Sequence, residues 1–272
     1  ILAQTLRDLE IICVDDGSTD DSGRILDHYA SGDERIRVIH RANAGYGAAM
    51  NAGIDQASGE YIGIVESDDC IEAKMYQVLY DAARKDDLDL VKSDAYYWIE
   101  DIGYLQKIHI QSLDHYYARV LYDMDRNIFF DFFMNIWTGI YKREFLMQNE
   151  IRFHESPGAS YQDNGFWLQS LLYCRSAKWI GRAFYRYRQD NPAASVRSQD
   201  KMMLMAHEYE HLAQVLCKRK DYHLLPYCYY FKLYRHRGTF LRIADEQKRK
   251  FCEQIRNDFI AYKGFIRGSS FL

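Results

Sequence analysis

The chain has 272 residues, 48% of them hydrophobic and 27% charged, which is the balance of a folded globular protein and excludes a disordered chain. Its formal net charge of −4 provides no overall basic field, so nucleic acid is not predicted as a partner. The six cysteines are scattered without a CxxC pair, so they predict free thiols and argue against a disulfide framework or a zinc site. No run approaches the ~18 apolar residues of a membrane span and no signal peptide is recognisable, so we expect a cytoplasmic protein.

The first hundred residues alternate between strand-like and helix-like patterns. Four apolar runs predict strands at 9–14, 35–40, 61–65 and 88–97. Helical patterns lie between them, the last from about 72 to 85. This alternation predicts βαβ units and a mostly parallel sheet flanked by helices, an α/β fold in which ligands bind beyond the carboxyl ends of the strands.

The rest of the chain divides near residues 198–203. From about 95 to 200 the pattern is less regular, and after 200 it is helical, so we predict an α/β domain over 1–200 and a helical C-terminal region over 201–272. The opening ILAQTLRDLE reads as the tail of a helix with no strand before it. Because a doubly wound sheet normally opens with a strand, we expect the first strand to be missing and the α/β domain to be N-terminally truncated.

Acidic residues follow two of the predicted strands. The third strand runs into Glu66, Ser67, Asp68 and Asp69, called the acidic loop below, and Asp15–Asp16 end the first. Adjacent carboxylates repel each other more strongly as they leave water, so the acidic loop predicts a positive partner, first of all a divalent metal that carries a phosphate-bearing ligand. The alternative is a solvated cluster at a helix start, where acidic residues favour the helix dipole.

Four stretches in this order and spacing resemble the family 2 glycosyltransferases of the GT-A fold, bacterial enzymes that assemble surface polysaccharide. They are VDDGSTDDS, NAGYGAAMNAGI, GEYIGIVESDD and PGASYQDNGFW, and the resemblance covers roughly residues 1–200. It implies a Rossmann-like, mostly parallel sheet flanked by helices, followed here by a helical appendage. In this family the first strand is central and helps to hold the nucleotide base, which is the strand that this sequence lacks.

The resemblance also implies roles for the acidic residues. Asp16, with Asp15 beside it, corresponds to the carboxylate that accepts a hydrogen bond from a uracil-type base. The acidic loop corresponds to the motif that holds Mn²⁺ or Mg²⁺ and the donor ribose, which assigns Asp69 to the metal and Asp68 to ribose or metal. Glu66 stands where Asp is more usual and is the third metal candidate. The cation would stabilise the charge that develops on the departing diphosphate.

The glycine-rich stretch after the second strand imitates a dinucleotide fingerprint. Met50 occupies the third glycine position, so a nicotinamide oxidoreductase is rejected. We still expect the backbone of this stretch to approach a nucleotide closely, with Asn43 and Asn51 as additional polar contacts. Met50 also stands where the family often has Arg.

Two later residues complete the predicted site. Asp163 in SYQDNGFW matches the family's general base, which takes the proton of the attacking sugar hydroxyl; the alternative is a helix N-cap. Direct attack opposite the diphosphate inverts the anomeric centre. Arg188 is predicted to hold the donor diphosphate, with hydrogen bonds from Asn191 and Ser195, and a surface strand is the alternative.

The C-terminal region mixes basic and aromatic residues. Its cations are Lys218, Arg219, Lys220, Lys232, Arg235, Arg237 and Arg242. They predict peripheral contact with the inner face of an anionic membrane, where a lipid-linked acceptor would lie, or else a plain helical appendage.

The sequence therefore predicts an inverting, metal-dependent glycosyltransferase that moves a hexose-type sugar from a UDP-sugar to a glycan or lipid-linked acceptor. A non-catalytic protein of the same fold that binds a sugar nucleotide or a glycan is the alternative.

Overall fold

The computed structural model of the protein describes residues 1–159, 161–192 and 204–267, with side chains as far as 264. Its strands are β1 Ile11–Asp15, β2 Ile36–His40, β3 Tyr61–Gly63, β4 Cys70–Ile71, β5 Leu90–Ile99, β6 Tyr104–Ile108, β7 Val120–Tyr122, β8 Gly139–Lys142 and β9 Ser176–Arg188. Its helices are α1 Ser22–Gly32, α2 Tyr46–Gln56, α3 Met75–Asp86, α4 Arg126–Phe129, α5 Arg143–Gln148, α6 Gln162–Tyr173, α7 Leu204–Arg219, α8 Leu225–Arg242 and α9 Asp245–Arg267. The four strands predicted in the first hundred residues are confirmed as β1, β2, β3 and β5.

The strands form two sheets. β1 pairs with β2, and the larger sheet has the order β3-β8-β5-β9-β4, with β6 added to β5 and β7 to β9. The prediction of a mostly parallel sheet is wrong, because within the described residues only β1–β2 and β5–β9 pair in parallel. The reason is non-local: β8 comes from the second half of the chain and inserts antiparallel between β3 and β5, where a βαβ pattern would place a parallel neighbour.

The start of the chain is not the helix tail that the sequence suggested. Residues 1–10 contain no helix. The buried amide of Gln4 instead donates to the carbonyl oxygen of Glu72 at 2.8 Å and accepts the backbone N–H of Tyr76 at 3.0 Å. This segment is therefore held against the start of α3 by side-chain hydrogen bonds, which a helical periodicity cannot reveal.

A cavity of about 380 Å³ separates the two sheets. It is lined on one side by Leu9 to Ile12, at the β1 edge, and on the other by Gly59 to Tyr61, Gly63 and Val65, at the β3 edge. This cavity lies between both edges, where the resemblance to the family would place a central first strand. That strand, and the boundary near residue 200, stay predictions.

One hydrophobic core joins the α/β region to the C-terminal helices. Side chains of β5, β8, β9 and α6 are buried in the same cluster as Tyr209 and Leu216 of α7 and Phe231 of α8. The helices after residue 204 therefore pack directly on the sheet region through apolar contacts, which dominate the stability of such an interface. This packing brings α7 and α8 beside the start of α6, where Asp163 lies.

Candidate active site

Two tyrosines hold the acidic loop after β3. The hydroxyl of Tyr46, at the first position of α2, donates to Oε1 of Glu66 at 2.6 Å. The hydroxyl of Tyr185, buried on β9, accepts the backbone N–H of Glu66 at 3.1 Å and donates to Oδ2 of Asp69 at 2.7 Å. One phenol thus bridges both ends of the loop, and helix α2 and strand β9 together determine where its carboxylates lie.

The end of β9 supplies the other contacts of the acidic loop. The backbone N–H of Arg188 donates to Oδ1 of Asp69 at 2.8 Å, and Nδ2 of Asn191 donates to Oδ2 of Asp68 at 2.6 Å. Every one of these donors is neutral. Within the described ranges, Glu66, Asp68 and Asp69 form no ion pair with a basic side chain.

The electrostatics of the acidic loop show uncompensated negative charge. Burial raises the pKa of Glu66 to about 7, with further contributions from the charges of Asp163, Asp69 and Asp68. Burial likewise raises the pKa of Asp69 to about 6, against the opposing hydrogen bonds from Arg188 and Tyr185. Protons, or a cation, are therefore favoured at this place. In the part of the chain that the structure describes, no three His, Cys, Asp or Glu side chains form a ready-made metal cluster.

Asp163 lies in the first turn of α6. The helix begins at Gln162 and its N-cap is Tyr161, a residue with a positive φ of 65°, so the alternative reading of Asp163 as the N-cap is wrong. Its Oδ1 accepts a hydrogen bond from Nδ2 of Asn164 at 3.0 Å. Burial raises the pKa of Asp163, and its charge contributes to the raised pKa values of Glu66 and Tyr46. The structure thus brings Asp163 and the acidic loop into one electrostatic environment, although nearly a hundred residues separate them.

The carboxylates after β1 are engaged by the protein itself. Asp15 is buried and accepts hydrogen bonds from the backbone N–H of Ser18 and from Nδ1 of His40, both at 2.9 Å. These bonds lower the pKa of Asp15 to about 2. The structure therefore uses Asp15 to fix the turn after β1, and its predicted contact with a nucleotide stays a prediction.

Asp16 orders the loop that leads into α2. Its carboxylate accepts the backbone N–H groups of Ala44 and Gly45, at 3.2 Å and 2.8 Å, and pairs with Nε of Arg41 at 3.2 Å. Asp16 is half-buried at the carboxyl end of β1, where the sequence placed it. A nucleotide base bound to Asp16 would share its carboxylate with the backbone N–H groups of Ala44 and Gly45.

The glycine-rich stretch at α2 serves close packing within the protein. A Cβ on Gly47 would lie 1.9 Å from the carbonyl oxygen of His154, and one on Gly45, whose φ is 96°, would lie 2.8 Å from the backbone of Gly158. Asn51 is buried and uses its amide on the backbone of Phe153 and on Glu155, so the structure does not bring it to a nucleotide site. Asn43 is exposed beside the Gly17 turn.

The guanidinium of Arg188 is already paired. It contacts Oε2 of Glu100 at 2.6 Å and Oδ1 of Asp190 at 2.8 Å, so binding a diphosphate would require these ion pairs to break. Its backbone N–H, not its side chain, reaches the acidic loop. Ser195, the other predicted contact, lies outside the described residues.

Sequence reasoning missed Tyr46, Tyr185 and Arg235. Tyr46 lay inside a quoted motif but was read only for its glycines. Tyr185 carries no local signal, because its partners precede it by more than a hundred residues. Arg235 was placed only in a basic surface, yet its charge lowers the pKa of Asp163.

Comparisons with known proteins agree on one family. A family model described as glycosyl transferase family 2 matches residues 1–148. The chain is 32% identical over 195 residues to the uncharacterized glycosyltransferase EpsJ of Bacillus subtilis, covering 70% of this chain and 55% of that protein. It is 31% identical over 198 residues to the uncharacterized glycosyltransferase YibD of Escherichia coli, covering 72% and 57%. The chain therefore spans about half the length of the curated relatives it matches.

Among solved structures, the fold resembles that of S. aureus TarS. A crystal structure of TarS in complex with UDP matches with a TM-score of 0.61 at 20% identity, covering 95% of this chain and 73% of that one. A second, in complex with UDP-GlcNAc, matches with a TM-score of 0.58 at 18% identity, covering 95% and 82%. With a central sheet flanked by helices and further helices at the C-terminus, the chain has the GT-A fold and belongs to glycosyl transferase family 2.

Proposed function

We propose that this chain carries the catalytic site of an inverting glycosyltransferase that uses a UDP-sugar as donor. The observation that carries the proposal is the half-buried acidic loop, which interacts electrostatically with Asp163 and forms no ion pair with a basic side chain of the described residues. Membership of the family supports glycosyl transfer. The TarS structures contain UDP and UDP-GlcNAc, which supports a uridine nucleotide as the donor here.

Asp68 and Asp69, with Glu66 beside them, would hold Mn²⁺ or Mg²⁺. Carboxylate oxygens are the ligands that these hard cations prefer, and the raised pKa values of Glu66 and Asp69 reflect charge that a cation would neutralise. Because the protein offers few ligands here, the diphosphate of the donor would complete the coordination. When bound, the ion supplies electrostatic stabilisation of the negative charge on the departing diphosphate.

Asp163 would act as the general base. A sugar hydroxyl is a poor nucleophile, so a carboxylate must accept its proton as the oxygen attacks the anomeric carbon. The raised pKa of Asp163 strengthens it as a base. The attack displaces the nucleoside diphosphate directly, which inverts the anomeric centre without a covalent intermediate on the enzyme.

Tyr46 and Tyr185 would keep the acidic loop in position during the reaction. Burial and the neighbouring carboxylates raise the pKa of both phenols, so both stay protonated and continue to donate their hydrogen bonds. Because Tyr185 binds both Glu66 and Asp69, it restrains the loop before any ligand arrives. Preorganisation of this kind lowers the cost of arranging ligands in the transition state.

The acceptor we propose is a glycan or lipid-linked sugar of a bacterial surface polysaccharide. No helix among the described residues is long and apolar enough to cross a membrane. Peripheral contact would instead use the exposed part of the basic C-terminal region, which includes Lys218, Lys220, Arg237 and Arg242. Lys232 does not belong to that surface, because it is buried between Glu210 and Asp258. Arg219 donates to the carbonyl oxygens of Asn149 and Glu150.

The test measures release of UDP from a panel of UDP-sugars, with and without Mn²⁺. We expect turnover that depends on the metal and falls roughly 100- to 10,000-fold in Asp163→Asn, which keeps the size of the side chain but cannot accept the proton. Asp123→Asn, at an exposed position away from the site, is the matched control and should keep wild-type turnover. Binding of a UDP-sugar without metal-dependent turnover would support the non-catalytic alternative and contradict this proposal.

A further inference from the structure

Helix α8 is held in a fixed rotation against its neighbours. The Nζ of Lys232 contacts Oε1 of Glu210 on α7 at 2.8 Å and Oδ1 of Asp258 on α9 at 3.0 Å. Nε2 of His236 contacts the other oxygen of Asp258 at 2.8 Å. Because residues three and four apart share one helix face, these contacts also determine the direction of Arg235, which lies between them.

The same region packs on the start of α6. Tyr161, two residues before Asp163, packs against the cluster formed by Ile243, directly after α8, and Phe251, in α9. From α7, the hydroxyl of Tyr209 donates to Oδ1 of Asn164 at 3.3 Å, next to Asp163. Arg235 lines a crevice together with Tyr209. Arg235 therefore shares neighbours with Tyr161 and Asn164, the residues on either side of Asp163 in the chain.

Arg235 is a cation that acts on this part of the site, and Arg242 also lowers the pKa of Tyr161. The positive charge of Arg235 lowers the pKa of Asp163, Tyr161 and Tyr209, in each case against the effect of burial. Among the described residues, the groups whose pKa values Asp163 raises are all acids. They are Tyr46, Glu66, Tyr161, Tyr187, Glu208 and Tyr209.

The guanidinium of Arg235 is not committed to an ion pair. It is half-buried, and its Nε contacts Sδ of Met205 at 3.4 Å, but within the described ranges no carboxylate lies within 4.0 Å of it. Other arginines around the site are paired, Arg188 with Glu100 and Asp190, and Arg41 with Asp16. A partly desolvated guanidinium without a counter-ion is a binding group for an oxyanion, which it contacts through a planar fork of N–H donors.

We propose that Arg235 binds a negatively charged group of the acceptor and so selects an anionic acceptor, one that carries a phosphate or a carboxylate close to the reacting hydroxyl. Asp163 interacts with the acidic loop on the donor side and with Arg235 on the α8 side. When bound, a metal cation at the acidic loop would balance the charge of the donor diphosphate, so Arg235 on the α8 side is available to the acceptor. This inference rests on the proposed function, because it takes Asp163 as the base.

The experiment compares three probes that differ only in the group at C6, which is neutral in glucose and anionic in glucose 6-phosphate and glucuronate. Each is titrated by calorimetry into the protein saturated with UDP and Mn²⁺, which keeps the anions out of the donor site. The wild type should bind at least one of the two anions about tenfold or more tightly than glucose, since a charge-assisted hydrogen bond contributes that much. The phosphate and carboxylate arms identify which oxyanion the site prefers.

Three variants on the same helix assign the preference to one residue. Arg235→Gln should reduce the preference for the anion to less than about threefold, and Arg235→Lys should restore part of it, because the charge returns without the planar fork. Arg237→Gln, which removes an exposed arginine two residues away, should keep the full preference. Thermal melts of all three variants confirm that they are folded.

Two results would overturn the inference. One is that the wild type shows no preference for either anion, which includes the case in which it binds none of the probes. The other is that Arg235→Gln keeps the preference. Binding of UDP and Mn²⁺ is measured first in the same cell and reports on the proposed function separately. If that binding is absent, the proposed function fails, and the probes are titrated into the unliganded protein with the same criteria.

Discussion

Two strand ends of this protein carry adjacent carboxylates, and their environments are opposite. Asp15, after β1, receives hydrogen bonds from Ser18 and His40, and its pKa falls to about 2. Glu66 and Asp69, after β3, receive hydrogen bonds from neutral groups only, and burial raises their pKa values to about 7 and about 6. The fold compensates the negative charge of Asp15 with hydrogen bonds from its own residues. The charge of Glu66 and Asp69 is left to a ligand.

The difference shows that a strand end rich in acids is not sufficient to indicate a cation site. Both patterns look alike in sequence, and the deciding quantity is whether the fold supplies positive charge or many N–H donors to the carboxylates. Asp16 fits the same rule, since it accepts two backbone N–H groups and pairs with Arg41. The comparison therefore predicts that substitutions at the two strand ends have different consequences.

The largest effect is expected from Asp69→Asn. Removing this carboxylate should reduce metal-dependent release of UDP by at least about 100-fold, because a Lewis-acid metal contributes several kcal/mol to the transition state. The protein should keep its melting temperature, since the native fold raises the pKa of Asp69 and thus disfavours its charge. Asp15→Asn is the matched control, with a lowered melting temperature and retained metal dependence. Equal loss of metal dependence in both variants would contradict the comparison.

A smaller effect is expected from Tyr185→Phe. The change removes the hydroxyl that accepts the N–H of Glu66 and donates to Asp69, so the acidic loop loses its common anchor. Loss of such a supporting contact weakens metal binding by about 10- to 100-fold, which a titration of Mn²⁺ in the presence of UDP would measure. Tyr187→Phe, two residues further along β9, should leave the affinity unchanged. The same loss in both variants would show that the effect is general to the strand.

The sequence predicted much of this site because much of it is local. Glu66, Asp68 and Asp69 follow a strand directly, and Asp163 lies near a helix start, so short patterns reveal them. The assignments of Asn51 and Arg188 depended on distant partners that no pattern shows. Asn51 contacts Phe153, a hundred residues away, and Arg188 pairs with Glu100. The antiparallel insertion of β8 and the electrostatic interaction of Arg235 with Asp163 are non-local in the same way.

The pH dependence of metal binding should follow the raised pKa values of the acidic loop. A cation binds the ionised carboxylates, so its affinity should fall as the pH drops through about 7, where Glu66 takes up a proton, and again through about 6 at Asp69. Protonation of Asp69 alone predicts about a tenfold loss of affinity at one pH unit below its pKa. Titrations of Mn²⁺ with UDP between about pH 8 and pH 5 would measure this fall. Glu66→Gln should remove the upper step, and an affinity that is constant across this range would contradict the charge state inferred for the loop.

The smallest effect concerns stability at the other strand end, where Asp15 and His40 are linked. The pKa of Asp15 is lowered, so its contribution is present above the unfolded value near about 4 and is lost as the pH falls through about 2. Hydrogen bonds to Asp27 and Asp15 raise the pKa of His40, so its contribution is complete below about 6.5 and is lost as the pH rises through the folded value. The melting temperatures of wild type and Asp15→Asn should therefore differ most between about pH 4 and pH 6.5. His40→Gln should remove the decline of that difference above about pH 6.5, and a difference independent of pH would contradict the shifted pKa values of Asp15 and His40.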